Sequence, residues 1–201
     1  MKWLGTELMP SVNDFLSAAD KHLILEYAYA AVAYAVKTGR TLPVDLSSTS
    51  ETLQQDGACF VTLKFNGKLR GCTGSIEAFR PLIIDVVNNA QSSARHDSRF
   101  RPVSISELPD LAVSVSVLTP RTEIPHSSEE DLLRKLRPGI DGLTIESPDY
   151  RAVFLPVMWE QLPESQDFLK HLKLKAGMPA NFWPTDMIAM RFEAILIGDD
   201  H

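Results

Sequence analysis

Hydrophobic positions along this chain recur with two periods, and the change from one to the other marks its elements. Residues 23–36 are apolar apart from Glu26, with alanines filling the second half. Ser17 followed by Asp20 reads as a helix start, and Gly39 as its end. A helix apolar nearly all round predicts a central element packed on more than one side. Residues 42–56 are polar and rich in Ser and Thr, which predicts a surface connection. Cys59, Val61, Leu63 and Phe65 then alternate on one face of a strand over 58–65. Asn66-Gly67 is a hairpin signal, because both positions tolerate positive φ, and 68–76 is the returning strand. Pro81 opens a second helix, on which Leu82, Val86, Ala90 and Ala94 fall at helical spacing. Ser104 and Glu107 form a capping box for a short turn, and alternation resumes from Leu111 to Val117.

The second half repeats this order. Ser127 and Glu130 cap a short helix ending near Gly139. A hairpin spans 142–146 and 151–155 around Ser147-Pro148-Asp149-Tyr150. A helix over 165–176 is stopped by Gly177 and Pro179, and Ile188, Met190, Phe192, Ala194 and Leu196 alternate along one last strand. Each half reads hairpin, helix, strand, although the halves share almost no residue identities. The predicted fold is α+β. It has two intertwined hairpin-helix-strand units around mainly antiparallel sheet, with a long N-terminal helix. A single domain over 1–201 is expected. Its subdomains take about 58–120 plus helix 17–38, and 121–201.

Composition narrows the function classes. The 201 residues are 44% hydrophobic and 23% charged, with a formal charge of -6. A nucleic-acid binder normally carries a basic surplus, so that class is disfavoured. Two cysteines, Cys59 and Cys72, argue against a disulfide framework or a zinc cluster and for a reducing compartment. Residues 1–10 lack the apolar run of a signal peptide. The 23–36 stretch falls short of the ~20 residues that span a bilayer. A cytoplasmic location away from membranes is expected. No nucleotide-binding, metalloprotease or nucleophile-elbow motif occurs, and no histidine has metal-ligand spacing.

The chemistry concentrates in Leu69-Arg70-Gly71-Cys72-Thr73-Gly74. An uninterrupted register from the two-residue turn sets Leu63 opposite Arg70, Val61 opposite Cys72 and Cys59 opposite Gly74. Cys72 and Cys59 are then diagonal neighbours on one face, ~7–8 Å apart and beyond disulfide reach. Arg70 would also face the core, where an unpaired charge is costly. Either it lies at the core's edge, or Gly71 makes a bulge that re-aims the chain. Gly71 and Gly74 clear the space beside Cys72 for a ligand or for another backbone. Cys72 itself reads as a small core residue or as a functional thiol, whose thiolate a neighbouring arginine would favour.

A second polar segment follows, Arg95-His96-Asp97-Ser98-Arg99-Phe100-Arg101-Pro102. It suits an anion-binding or acid/base loop, since arginine forks bind carboxylate or phosphate and histidine titrates near neutrality. The alternative is a solvated loop in which Asp97 pairs with an arginine and Phe100 plugs the core.

The Leu69–Gly74 hexapeptide resembles the leucine-arginine-glycine-cysteine-x-glycine signature of the AMMECR domain family, whose prokaryotic members are called AmmeMemoRadiSam system protein A. The similarity continues through Phe60-Val61-Thr62-Leu63, Asp97-Ser98-Arg99-Phe100, Val115-Ser116-Val117-Leu118-Thr119-Pro120, Asp141-Gly142-Leu143, Lys175-Ala176-Gly177 and Arg191-Phe192-Glu193-Ala194. Thr73 replaces the signature's usual isoleucine. Lys173 stands where a second cysteine is often found, which speaks against a two-thiol mechanism. The resemblance implies an α+β fold of two related units and a component of an intracellular modification pathway, with Memo-type and radical-SAM proteins as partners. It specifies no cofactor and no metal. The candidate site is Cys72 as nucleophile, with His96 or Asp97 to orient or move a proton. Arg70, Gly71, Gly74, Arg99 and Phe100 would bind a small anionic substrate. The rival functions are a non-catalytic adaptor for a protein or small anion and, against the charge balance, an RNA-binding module.

Overall fold

The computed structural model describes residues 16–198. The chain forms two compact units. One extends to Leu118 and resumes at Ile195, and the other holds Thr119–Ala194.

The first unit opens with α1 (Ala18–Thr38). Ser17 and Asp20 cap it reciprocally, and Gly39 closes it at φ 74°. Its buried side is a single stripe, Ile24, Ala28, Ala31, Val32, Ala35 and Val36. The far side of the alanine-rich half is not packed, which corrects the expectation of close packing on both sides there, because Ala30 is exposed. Alanine is apolar but small, so the sequence could not show which alanines face outward. The 42–56 connection carries a short α2 (Glu51–Gln54), capped by Ser50 and pinned by the buried Leu53.

Next come β1 (Ala58–Phe65), β2 (Lys68–Gly74), α3 (Leu82–Arg95) and β3 (Leu111–Leu118). Asn66 at φ 50° and Gly67 at φ 71° make the predicted turn between β1 and β2. With β8 (Ala194–Ile197) these strands form a four-stranded sheet in the order β2-β1-β3-β8. The core of this unit joins Val61 and Leu63 of β1, Val113 and Val115 of β3, Ile24 and Val32 of α1, and Val86 and Ala90 of α3. β2 is left as an edge strand, and this fact shapes the site.

The second unit contains β4 (Thr122–Glu123), α4 (Glu129–Lys135), β5 (Gly142–Glu146), β6 (Arg151–Phe154), α5 (Ser165–Lys175) and β7 (Ile188–Phe192). Its sheet runs β4-β7-β5-β6. Trp159 stacks on Phe168 at 3.8 Å within a core that includes Leu143, Ile145, Leu169 and Leu172. The cap of α4 is Ser128, with Asp131 donating its N–H to it, one residue on from the predicted Ser127 and Glu130. Both sheets share one plan. The first hairpin strand sits between its partner and the strand that follows the helix: β1 between β2 and β3, β5 between β6 and β7. The fold is α+β, with two antiparallel four-stranded sheets and a long N-terminal helix.

The predicted single last strand is corrected. It breaks at Glu193, so that β7 pairs with β4 and β5 while β8 joins the first sheet. Glu193 keeps its backbone bonded at the break: its carbonyl accepts Thr119 N–H at 2.9 Å, and its N–H donates to Thr119 Oγ1 at 2.8 Å. The apolar residues alternate through the break in the sequence, which hides it, although Ile188 and Leu196 of that set are exposed and Ala189, Ile195 and Ile197 are buried instead. Among the described residues no helix is long and apolar enough to cross a membrane.

Candidate functional site

A bulge in β2 builds the site. Pairing starts as predicted, with Phe65 opposite Lys68 and Lys64 opposite Leu69, and then skips a residue. Leu63 faces Gly71, Thr62 faces Cys72 and Val61 faces Thr73, so Arg70 is the extra residue. A one-residue shift turns every later side chain to the other face. The predicted pairing of Cys72 with Val61, on the same face as Cys59, is therefore corrected. Cys59 lies fully buried toward α3, where its Sγ is 3.4 Å from Asp85 Oδ2. Burial, aided by the Asp85 charge, pushes the Cys59 thiol pKa well up. Cys72 is half-buried on the opposite face beside Thr62, whose hydroxyl lies 3.4 Å from its Sγ.

Thr73 takes the inward place instead. Its Oγ1 donates to the Asn89 carbonyl at 3.0 Å and lies 2.9 Å from Ser93 Oγ. Ser93 Oγ in turn accepts Thr73 N–H and donates to the Val61 carbonyl. This small polar network ties β1 and β2 to α3, and it suits a threonine at this position.

The bulge also settles Arg70. Its guanidinium is buried against Glu107, with Nε to Oε1 at 2.7 Å and Nη2 to Oε2 at 3.2 Å. Nη1 donates to the Arg101 carbonyl and Nη2 also to that of Pro102. The Arg70 bonds, with those from Ser104, hold the Glu107 carboxyl down at about 2. Arg70 is thus occupied by protein groups on every nitrogen. Gly71 answers a packing need, because a Cβ there would lie 2.2 Å from the Ser93 carbonyl oxygen. At Gly74 a Cβ would meet the Phe60 ring at 2.3 Å. Both glycines make room for the protein itself.

Asp97 and Arg99 close the outer edge of β2. Asp97 Oδ2 accepts the Cys72 N–H at 2.8 Å, and Arg99 Nη2 donates to the Cys72 carbonyl at 3.0 Å. Arg99 also grips Asp97 through Nε at 2.9 Å and Nη2 at 2.7 Å. Two side chains thereby satisfy the backbone groups that a further strand would take, which blunts an edge open to aggregation. Arg99 above all, helped by two backbone N–H groups, holds the Asp97 carboxyl far below the usual range. Arg99 is raised in turn, first by Asp97 and in smaller part by the Cys72 side chain. Phe100 is half-buried, its ring centroid 5.5 Å from Arg99 Cζ, and it lies outside the buried core cluster. His96 caps α3 through its backbone N–H. Its exposed side chain makes no hydrogen bond or ion pair among the described residues.

The structure therefore brings Cys72, Thr62, Asp97, Arg99 and Phe100 together at one strand edge. Arg70 and Gly71 support this edge from within, and His96 stands apart. Sequence reasoning missed Thr62, because the bulge decides what faces Cys72. It also missed Glu107, which was legible only as a cap. No metal-ligating group of three His, Cys, Asp or Glu occurs among the described residues.

The AMMECR1 family model matches residues 25–197. This chain belongs to the AMMECR1 family. It is 36% identical over 182 residues to a protein of Methanocaldococcus jannaschii, covering 86% of this chain and 90% of that protein. A protein of Methanothermobacter thermautotrophicus is 34% identical, with 92% and 97% covered. The crystal structure of uncharacterized protein PH0010 from Pyrococcus horikoshii matches with a TM-score of 0.80 at 31% identity, over 90% of this chain and 92% of that one. In this AMMECR1 chain Lys173 is wholly buried, with Nζ on both Glu129 oxygens at 2.8 and 2.7 Å and on the Ala180 carbonyl at 2.6 Å. An ion pair occupies the place at which the resemblance set a second thiol.

Proposed function

We propose that this AMMECR1 protein handles a small anionic substrate at the β2 edge, with Cys72 as the reactive group. The observation that carries the reading is the half-buried Cys72, whose Sγ lies 3.4 Å from the Thr62 hydroxyl and whose carbonyl is held at 3.0 Å by Arg99, a guanidinium whose side chain is 54% exposed. An exposed guanidinium at this edge draws anions. Asp97, ionised and clamped by Arg99, orients the arginine instead of carrying protons. His96 is not in contact with the thiol, so a substrate or partner would have to supply the base. This favours a substrate-handling component over a self-sufficient enzyme. Membership of a cytoplasmic modification system with Memo-type and radical-SAM proteins belongs to the same proposal and rests on the family resemblance.

The test compares alkylation by anionic iodoacetate and neutral iodoacetamide. Relative to a free thiol, Cys72 should favour iodoacetate, and Arg99→Gln should remove the preference. Equal ratios in wild type and variant would overturn the reading. The adaptor alternative gains support from the mutual satisfaction of Asp97, Arg99 and the Cys72 backbone. A Cys72→Ser chain that fully complements a deletion strain would favour it.

A further inference from the structure

The second unit carries a groove of about 460 Å³ between the 147–150 turn and the 182–186 segment. Its walls are aromatic and acidic. Tyr150, Phe182 and Trp183 supply rings, Asp149 and Asp186 supply carboxylates, and none of the nine lining residues is basic. The Tyr150 and Phe182 rings stand 6.2 Å apart at 62°, which makes a concave corner and not a stack. Tyr150 and Trp183 are anchored by packing on the core of this unit. His126 meets Trp183 edge-on at 5.6 Å. Phe182, by contrast, is 45% exposed and lies outside that core.

These walls select a charge and a shape. Aromatic faces carry the negative end of a quadrupole and attract cations. The two carboxylates add full negative charge and repel anions. A neutral apolar ligand would cover the rings but leave the carboxylates partly desolvated and uncompensated. A bare metal ion, strongly hydrated, would gain little from Phe182. A cation with an apolar shell satisfies both walls at once. The ring electronics are already in use beside the groove, where the Lys173 ammonium lies 5.6 Å from the Trp183 centroid. The volume is toward the lower end of small-ligand cavities, which span roughly 300–1,000 Å³. We propose that this groove binds a small alkylated ammonium ion, a site independent of Cys72.

The test is a titration of the full chain followed at the Trp183 indole N–H by NMR, with choline as the probe and its neutral isostere 3,3-dimethyl-1-butanol as control. Choline should shift the resonance saturably, and the alcohol should bind roughly tenfold more weakly or worse. Phe182→Leu keeps an apolar side chain and removes the ring. Asp186→Asn removes one charge. Both residues are exposed, so the fold should persist, and each change should weaken choline several-fold. Cys72→Ser should leave the titration unchanged. Equal affinity for the alcohol, no saturation, or the same shift from sodium chloride at matched ionic strength would overturn the proposal. A trimethyllysine peptide that binds at least tenfold tighter than choline would overturn the small-ligand assignment and give the groove to a modified protein.

Discussion

Asp97 accepts the backbone N–H of Cys72 at 2.8 Å, across 25 residues of sequence, and Arg99 completes the pair by taking the carbonyl of the same residue. The acid of the charged loop is thus part of the sheet edge. Replacing it leaves the Cys72 N–H and the Arg99 guanidinium without their partner. Asp97→Ala should lower stability by about 1–3 kcal/mol, measured by urea unfolding. Asp97→Asn should cost less, because the amide oxygen can still accept the N–H.

The same carboxylates set an acid limit. Asp97 is held far below its ordinary pKa of 3.8, and Glu107 is lowered from 4.5 to about 2. A carboxylate depressed on folding contributes stability that is complete above its unfolded pKa and is lost as pH falls toward the folded one. The urea midpoint should be steady above about pH 5 and fall from there toward pH 2. Glu107→Gln, measured beside wild type, should have a lower midpoint near neutrality and a shallower fall.

Gly71→Ala should be strongly destabilising, since the new Cβ would sit 2.2 Å from a backbone oxygen of α3. Either the helix or the bulge must move. A loss on the order of 1–3 kcal/mol is expected by thermal unfolding, typical of overpacking. Gly67→Ala should cost through strain alone, because φ there is 71° and no atom lies near.

Lys173→Ala should cost about 3–5 kcal/mol in chemical denaturation, because it strips the ammonium from Glu129 and leaves a cavity beneath Ala180. Lys173→Met, close in volume and uncharged, should recover a good part of that loss.

Much of the fold was legible in the residues. The Ser17–Asp20 box, the Asn66-Gly67 turn and the spacing of Leu82, Val86, Ala90 and Ala94 act over a few positions, where local physics decides. The bulge was legible only as an alternative. Arg70 becomes the extra residue because Glu107, 37 positions away, is placed to neutralise it. The face of Cys72 follows from that long-range pair and from no local pattern. The break at Glu193 was hidden for a similar reason: alternation separates two faces, but does not state which of them is buried or which sheet the strand joins, and Ile188 and Leu196 prove exposed. In the loop, Asp97 was legible as the partner of an arginine, but that the arginine is Arg99 and that the pair closes a strand edge needed β2 to be known as an edge.

The Arg70 bulge sets Cys72 and Cys59 on opposite faces, one within reach of solvent and one sealed. Thiol counting with 5,5′-dithiobis(2-nitrobenzoate) tests it directly, in native buffer and in guanidinium chloride. One reactive equivalent is expected in the native protein, absent in Cys72→Ser, and two after unfolding. Two fast equivalents in the native state, or a Cys59–Cys72 disulfide formed under mild oxidation without unfolding, would contradict it.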